Sequence, residues 1–426
     1  MIRIVATLAL LLPFLSAPAQ NVKAIRRDVR MLAGPSMHGR GYVDRGAEKA
    51  ARYIVKQLQD AGLRPAADSG SYTQSYSFPV NSFPGPIALQ INKKEPKAGV
   101  DYLVDARSTP FTAERMRLHH VNVAKVFRKG DSATRISRLS ARGGAVYLQH
   151  PDTLLRSTFL RTIPGDSLPD GLYILPVKGK MTWTVRTDTF RKGATVVYVQ
   201  DSALPRWPRR VTTQLVSRIL RPDRNGQVNV AAKVPGTAVP DSFVVFTAHY
   251  DHLGELGRAA IFPGASDNAS GTCTVLDLAR YFAAHPQRYT VVFLFFSGEE
   301  AGLKGSDYYV KHPTLPLDHI RFLINLDMVG EAADGATVVN ATKHTAEFEL
   351  LQRLNAKGSH LPKLNSRGEA ANSDHYHFTE QGVPCFFIYG NGGKGHYHDV
   401  FDTPADLSLE GTEGIERLLI DFVGKL

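Results

Sequence analysis

In the second half of the chain, hydrophobic and polar positions follow two alternating periods. The stretches "DSFVVFTAHYD" (241–251), "YTVVFLFFSGEE" (289–300), "HIRFLINLDMVG" (319–330) and "VPCFFIYG" (383–390) are continuous apolar runs rich in β-branched and aromatic residues. Each predicts a strand buried on both faces. Between and after them, "ASGTCTVLDLARYFAAH" (269–285), "AGLKGSDYYVKH" (301–312), "TAEFELLQRLNAKG" (345–358) and "LEGTEGIERLLIDFVGKL" (409–426) repeat apolar residues at helical spacing. Strands alternating with amphipathic helices predict an α/β fold, a mostly parallel central sheet with helices on both faces. Near the N-terminus, "GAEKAARYIVKQLQDAG" (46–62) puts Ala47, Ala50, Ala51, Ile54, Val55 and Leu58 on one stripe, with Gly62 closing the helix. The middle of the chain differs. From residue 86 to 225, short runs such as "DYLVD", "GAVYLQH", "GLYILPV" and "TVVYVQ" are separated by Pro, Gly and charged clusters, which predicts a β-rich insert.

Composition narrows the function classes. With 426 residues, 43% of them hydrophobic, the chain can build large cores. A formal charge of +11 raises nucleic acid or an anionic surface as a partner. The Lys and Arg residues are scattered, however, with no basic helix interleaved with aromatics, so no nucleic-acid partner is expected. "MIRIVATLALLLPFLSAPAQ" carries Arg3, an apolar stretch from Ile4 to Leu15, and Ala17-Pro18-Ala19. Those are the three regions of a secretory signal, with cleavage expected after Ala19. The stretch is shorter than the roughly 20 residues a bilayer span requires. The expectation is an exported protein, periplasmic or extracellular, without a membrane span. Cys273 and Cys385 both fall in apolar contexts. They read as buried free thiols, although export would permit a disulfide.

Titratable residues concentrate at strand ends, where ligands bind in parallel sheets. His249 and Asp251 are two apart, so an extended chain turns both to the same side. Spacing leaves open whether Asp251 orients His249 or itself ligates. Asp267 precedes a helix, where an aspartate taken alone reads as a cap. Glu299 and Glu300 close the next strand, and adjacent strand residues point to opposite faces, so one should bind and the other stay free. Asp327 ends the following strand. "GHYHDVFDT" then offers His396, His398, Asp399 and Asp402 in a glycine-rich loop.

Two adjacent glutamates after an apolar run cost desolvation and mutual repulsion unless cations wait there. The fold would gather histidine, aspartate, glutamate, aspartate and histidine at one edge. Imidazole and carboxylate without thiolate suit Zn2+, or less often Mn2+ or Co2+. Five ligands exceed what one catalytic zinc takes; they fit two ions about 3.5–4 Å apart. Three ligand carboxylates and a bridging hydroxide would neutralise two dications. Rival chemistries find little support: "GNGGKG" (390–395) meets G-x-G-x-x-G without a following helix, and neither a G-x-S-x-G elbow nor H-E-x-x-H occurs.

The stretches "AHYDHLG", "GASDNASGT", "FFSGEEAGLKGS", "NLDMVG", "SDHYHF" and "HYHDVFDT" resemble the secreted di-zinc aminopeptidases of peptidase clan MH, whose fold also houses glutamate carboxypeptidases and glutaminyl cyclases. The resemblance covers about Asn229 to Leu426. "LAGPSMHGRGYVDRGAEKAARYIVKQLQDAGLRP" is similar to the opening helix of larger members, in which a protease-associated domain is often inserted before the metal motifs. The implied organisation is a leader at 1–19, a first part of the peptidase domain at 20–85, the insert at 86–225, and the metal-binding part at 226–426. The resemblance further implies that His249 and Asp327 hold one zinc, Glu300 and His398 the other, and Asp267 bridges them. Asp251 would orient His249, Glu299 would act as general base, and Tyr397 would hydrogen-bond the developing oxyanion. Peptides with a free N-terminus are the expected substrates. The alternatives are a carboxypeptidase, which needs a cationic pocket, a single-zinc glutaminyl cyclase, and a binding protein that keeps the fold without chemistry.

Overall fold

The computed structural model of the chain describes residues 22–122, 145–149, 168–191 and 193–426. The leader at 1–19 lies outside them. Nine strands form the main sheet: β1 (Arg64–Pro65), β2 (Thr73–Ser77), β3 (Gly226–Val234), β4 (Val239–His249), β5 (Tyr289–Phe296), β6 (Ile320–Leu326), β7 (Ala336–Val339), β8 (Leu364–Ser366) and β9 (Cys385–Gly390). The spatial order is β1-β3-β5-β4-β6-β9-β7-β8, with β2 also paired to β3. The central four, β5-β4-β6-β9, are parallel, and antiparallel pairs flank them at β3 and β7. The four long apolar runs of the sequence are these central strands.

Their period of two divides the hydrophobic core. Val244, Phe246 and Ala248 of β4, with Val291, Phe293 and Phe295 of β5, face one core. Phe243 and Val245, with Val292, Leu294 and Phe296, face the other. The first core is covered by α1 (Val22–Leu32), α2 (Gly46–Asp60), α3 (Gly271–Ala284), α5 (Thr345–Gly358) and α7 (Thr412–Val423). The second is covered by α4 (Lys304–Lys311) and α6 (His375–Glu380), through Tyr309 and Phe378. Truncating a fully buried Phe293 to Ala should cost about 3–5 kcal/mol. In α2 the predicted stripe is buried, with Val55 half-buried at its margin. Gly62 follows the helix at φ 77°, the left-handed turn that favours glycine.

One strand stops earlier than its sequence suggests. β5 ends at Phe296, and Gly298 at φ 70° turns the chain away, so Glu299 and Glu300 sit in the following turn. Alternation along a strand therefore does not explain their separation; the turn does.

The insert forms a second, seven-stranded sheet. Its centre is parallel, running Phe111–Asn122, Ala145–Gln149, Gly171–Val177 and Ala194–Gln200. This sheet does not hang on a linker. Its residues share a core with Phe83, Leu253, Leu256 and Phe262 of the segments beside the metal motifs. Cys273 and Cys385 are free and buried. Among the described residues, no helix is long and apolar enough to cross a membrane.

Candidate metal centre

The carboxyl ends of β4, β5 and β6 bring the candidate residues together. His249 is the last residue of β4, and Asp327 follows β6 directly. Asp267 sits in an irregular turn, Ala265–Ser270, that leads into α3. Its backbone N–H and that of Ser266 donate to Asp402 at 3.0 and 2.7 Å. The Asn268 side chain ties the same turn to the end of β6, donating to Leu326 O and accepting from Met328 N–H.

Within this frame, His249 Nε2 lies 3.5 Å from Asp267 Oδ1, 3.4 Å from Asp327 Oδ1 and 4.0 Å from Glu299 Oε2. On the opposite side, His398 Nε2 lies 3.1 Å from Asp267 Oδ2 and 3.1 Å from Glu300 Oε2. The two oxygens of Asp267 thus face different histidines. Two groups of donor atoms compact enough for a cation share that carboxylate, His249–Asp267–Asp327 and His252–Asp267–Glu300.

Charge balance in this buried pocket is unusual. Burial opposes protonating His398, yet Glu300 and Asp267 raise it to about 11. Burial likewise opposes a charged His249, yet Asp327 and Glu299 lift it well above the usual range. Glu300 stays well below the usual carboxylate range despite burial, because His398 and His252 favour its charge. Glu299 goes the other way, pushed well up by burial and by Glu300 and Asp327, with His249 opposing. The carboxylates therefore favour positive charge at both imidazoles. Dications would supply that charge at the same point, so the donor set fits metal ions.

Supporting contacts differ from residue to residue. Asp251 Oδ1 lies 3.7 Å from His249 Nδ1, while its backbone carbonyl lies closer, at 3.2 Å. The carboxylate also accepts from the Glu299 N–H at 3.2 Å and the Tyr42 hydroxyl at 3.2 Å. Tyr397 is 44% exposed and stacks on His398, with ring centroids 3.9 Å apart. His396 and Asp399 stay outside the cluster; Asp399 pairs with Lys180 at 3.1 Å. Asp402 acts from behind, through the backbone of the Asp267 turn.

Several contributors carried no assignment from sequence. His252 Nδ1 lies 2.8 Å from Glu300 Oε1; it stands within "AHYDHLG" but gave no separate signal. Ser373 donates to Asp327 Oδ2 at 2.8 Å. Arg40 is fully buried and donates to the carbonyls of Tyr250, Leu32, Pro263, Gly264 and Asp267. Burial lowers its pKa, and Asp402 and Asp267 oppose that. A cavity of about 400 Å³ opens over the cluster and continues past Met328, Phe387, Tyr389 and Arg367. A larger groove of about 1100 Å³ lies between the insert and residues Ala259, Ala260 and Ile261, away from this chemistry.

Residues 229–423 match the sequence profile of Peptidase family M28. The matched stretch is a little under half of the chain. Its relatives include Aminopeptidase YwaD of Bacillus subtilis, 28% identical over 190 residues, 43% of this chain and 40% of that protein. A probable zinc metalloprotease of Pyrenophora tritici-repentis is 37% identical over 106 residues, 24% of this chain and 22% of that one. The matches thus span less than half of these relatives' lengths. Among solved structures, BSAP, a zinc aminopeptidase from Bacillus subtilis, superposes with a TM-score of 0.69 at 18% identity, over 95% of each chain. An aminopeptidase from Aneurinibacillus sp. strain AM-1 gives 0.61 at 17% identity, over 95% of this chain and 93% of that one. At such identities the likeness concerns the fold, and at that coverage it takes in the second sheet.

Proposed function

We propose that the chain is an exported zinc aminopeptidase that binds two zinc ions and removes N-terminal residues from peptides. The observation that carries this reading is Asp267, with one carboxylate oxygen toward His249 and the other toward His398. His249 and Asp327 would hold one ion and Glu300 and His398 the other, with Asp267 shared between them; Mn2+ or Co2+ could substitute. Bound ions would polarise the scissile carbonyl and lower the pKa of an attacking water toward neutrality.

Glu299 takes the proton of that water on a carboxylate oxygen and delivers it to the departing amine. Burial pushes its carboxyl well up, the direction a base working near neutral pH requires. Asp251 fixes the backbone of Glu299 and faces the ring of His249. Tyr397 donates its hydroxyl to the developing oxyanion; burial pushes the phenol up, so it keeps its proton. The acidic pocket attracts the substrate's protonated α-amine, which makes the N-terminus the recognised end. The match of residues 229–423 to Peptidase family M28 and the aminopeptidase name of a relative support the same activity.

Arg367, which lines the cavity and donates to the Tyr389 hydroxyl at 3.2 Å, favours a second reading, a carboxypeptidase that holds a substrate carboxylate. One panel separates the two. Elemental analysis should return two zinc ions per chain. Aminoacyl-anilides with a free amine should be cleaved and their acetylated forms left intact. Release of C-terminal residues from N-blocked peptides would instead establish the carboxypeptidase.

A further inference from the structure

Between β9 and α7 the chain leaves the sheet, and the stretch bearing His398 meets the insert. Trp183 of the insert donates its backbone N–H to His398 O at 2.9 Å. In return, His398 Nδ1 lies 2.9 Å from the Trp183 carbonyl oxygen. Trp183 is itself fixed: its indole N–H donates to Val104 O at 2.8 Å, and its ring stacks on Phe262 at 4.8 Å. Lys180 adds a second hold, donating to Gly395 O at 2.6 Å and pairing with Asp399 at 3.1 Å. Asp399 in turn accepts from the backbone N–H groups of Tyr397 and Phe401. Val400 packs against the core shared with the insert.

We infer that the segment carrying Lys180 and Trp183 is a positioning clamp for His398, through which the insert sets the affinity of one of the two cation positions. The inference rests on the reading of His398 as a ligand given above. A carbonyl can only accept, so Trp183 keeps the hydrogen of His398 on Nδ1 and leaves Nε2 aimed at Asp267 and Glu300. His398 also sits at φ 52°, a left-handed conformation that residues with side chains seldom adopt. Held from outside by a reciprocal pair of hydrogen bonds, the backbone stays there; released, it would relax and carry the imidazole away from its partners. Lys180 and Trp183 are positioning residues, since neither contacts the Asp267 or Glu300 carboxylates that His398 faces.

The test is calorimetric titration of zinc into full-length protein stripped with a chelator. In Lys180→Ala, whose side chain is 43% exposed and can be removed without harming the core, one zinc affinity should fall about 10- to 100-fold and the other stay within about twofold. Trp183→Ala should do the same, and Trp183→Phe, which keeps a ring against Phe262, should recover most of the loss. Lys180→Ala decides the matter if Trp183→Ala fails to fold. Two wild-type affinities in folded Lys180→Ala would overturn the clamp, and so would equal losses at both positions. His398→Ala serves as the reference and should lose one zinc. If it keeps two with wild-type affinity, the ligand assignment itself has failed, whatever Lys180→Ala shows.

Discussion

The two halves of the centre are built from different materials. On the His249 side, both groups stand at the ends of adjacent parallel strands, with Thr247 and Asn325 paired in register just before them. A buried series of hydrogen bonds runs beneath: Thr247 Oγ1 to Asn325 Oδ1 at 2.6 Å, Asn325 Nδ2 to Ser373 Oγ at 2.8 Å, and Ser373 Oγ to Asp327 Oδ2 at 2.8 Å. On the His398 side, the imidazole belongs to a loop in a left-handed conformation, steadied by a tryptophan of the insert. One half inherits its geometry from the sheet; the other borrows it across the interface with the insert. Perturbing the insert should therefore act unequally on the two halves, and the predictions below are ordered by how strongly each tests that asymmetry.

Asp267 belongs to both halves, so Asp267→Ala should be the most damaging change. Zinc content should fall below two per chain and peptide hydrolysis should disappear, read by elemental analysis beside an anilide assay. Full zinc occupancy would mean that the halves do not share this carboxylate. Glu299→Gln comes next. It should lower kcat by about 10²- to 10⁴-fold while both zinc ions remain bound. Loss of a zinc in that variant would make Glu299 a ligand of the His249 half instead of a base.

Proton release sharpens the comparison further. Both histidines are held above the usual imidazole range by the surrounding carboxylates, and zinc takes only the neutral form, so loading at pH 7 should release protons. Calorimetry in buffers of different ionisation enthalpy measures this directly, and His398→Ala should reduce the release. Stability should follow the same sign. His398 is raised to about 11, above the roughly 6.5 of an unfolded histidine. Its contribution to the metal-free fold is thus complete below about pH 6.5 and disappears as pH rises through 11. The melting temperature of stripped protein should fall over that window more steeply than that of zinc-loaded protein. A smaller loss is expected from Ser373→Ala. Removing the donor to Asp327 should weaken zinc at the strand half by about 10- to 100-fold and spare the loop half, the mirror image of Lys180→Ala.

How much of this was legible depended on where the information lies. β4, β5, β6 and β9 are buried on both faces, so their apolar runs announced them. β7, β8 and α6 are short and mix polar with apolar residues in "ATVV", "LNS" and "HYHFTE", and no periodicity marked them. Converging strand ends made His249, Asp267 and Asp327 candidates, while the choice of Glu300 over Glu299 and of His398 over His396 rested on the resemblance to the di-zinc aminopeptidases. Arg40 could not be named, because it acts 227 residues from Asp267 through carbonyl oxygens that every residue possesses. Trp183 was equally silent, since its contact with His398 is made by the main chain. A backbone group leaves no trace in side-chain chemistry, so the means of holding the loop half could not be read from the sequence.

Tyr397→Phe should have the smallest effect and discriminates most finely. The ring lines the cavity and lies nearly parallel to His398, 15° from its plane. It could serve catalysis through its hydroxyl or metal binding through that stacking. Phenylalanine keeps the stack and deletes the hydroxyl. If the hydroxyl meets the oxyanion, kcat should drop about 10-fold with KM and both zinc affinities unchanged, less than a fully buried donor would give because this one is half-exposed to water. If zinc affinity at the loop half changes instead, the phenol is part of the apparatus that holds His398, and Tyr397 joins Trp183 and Lys180 on that side of the comparison.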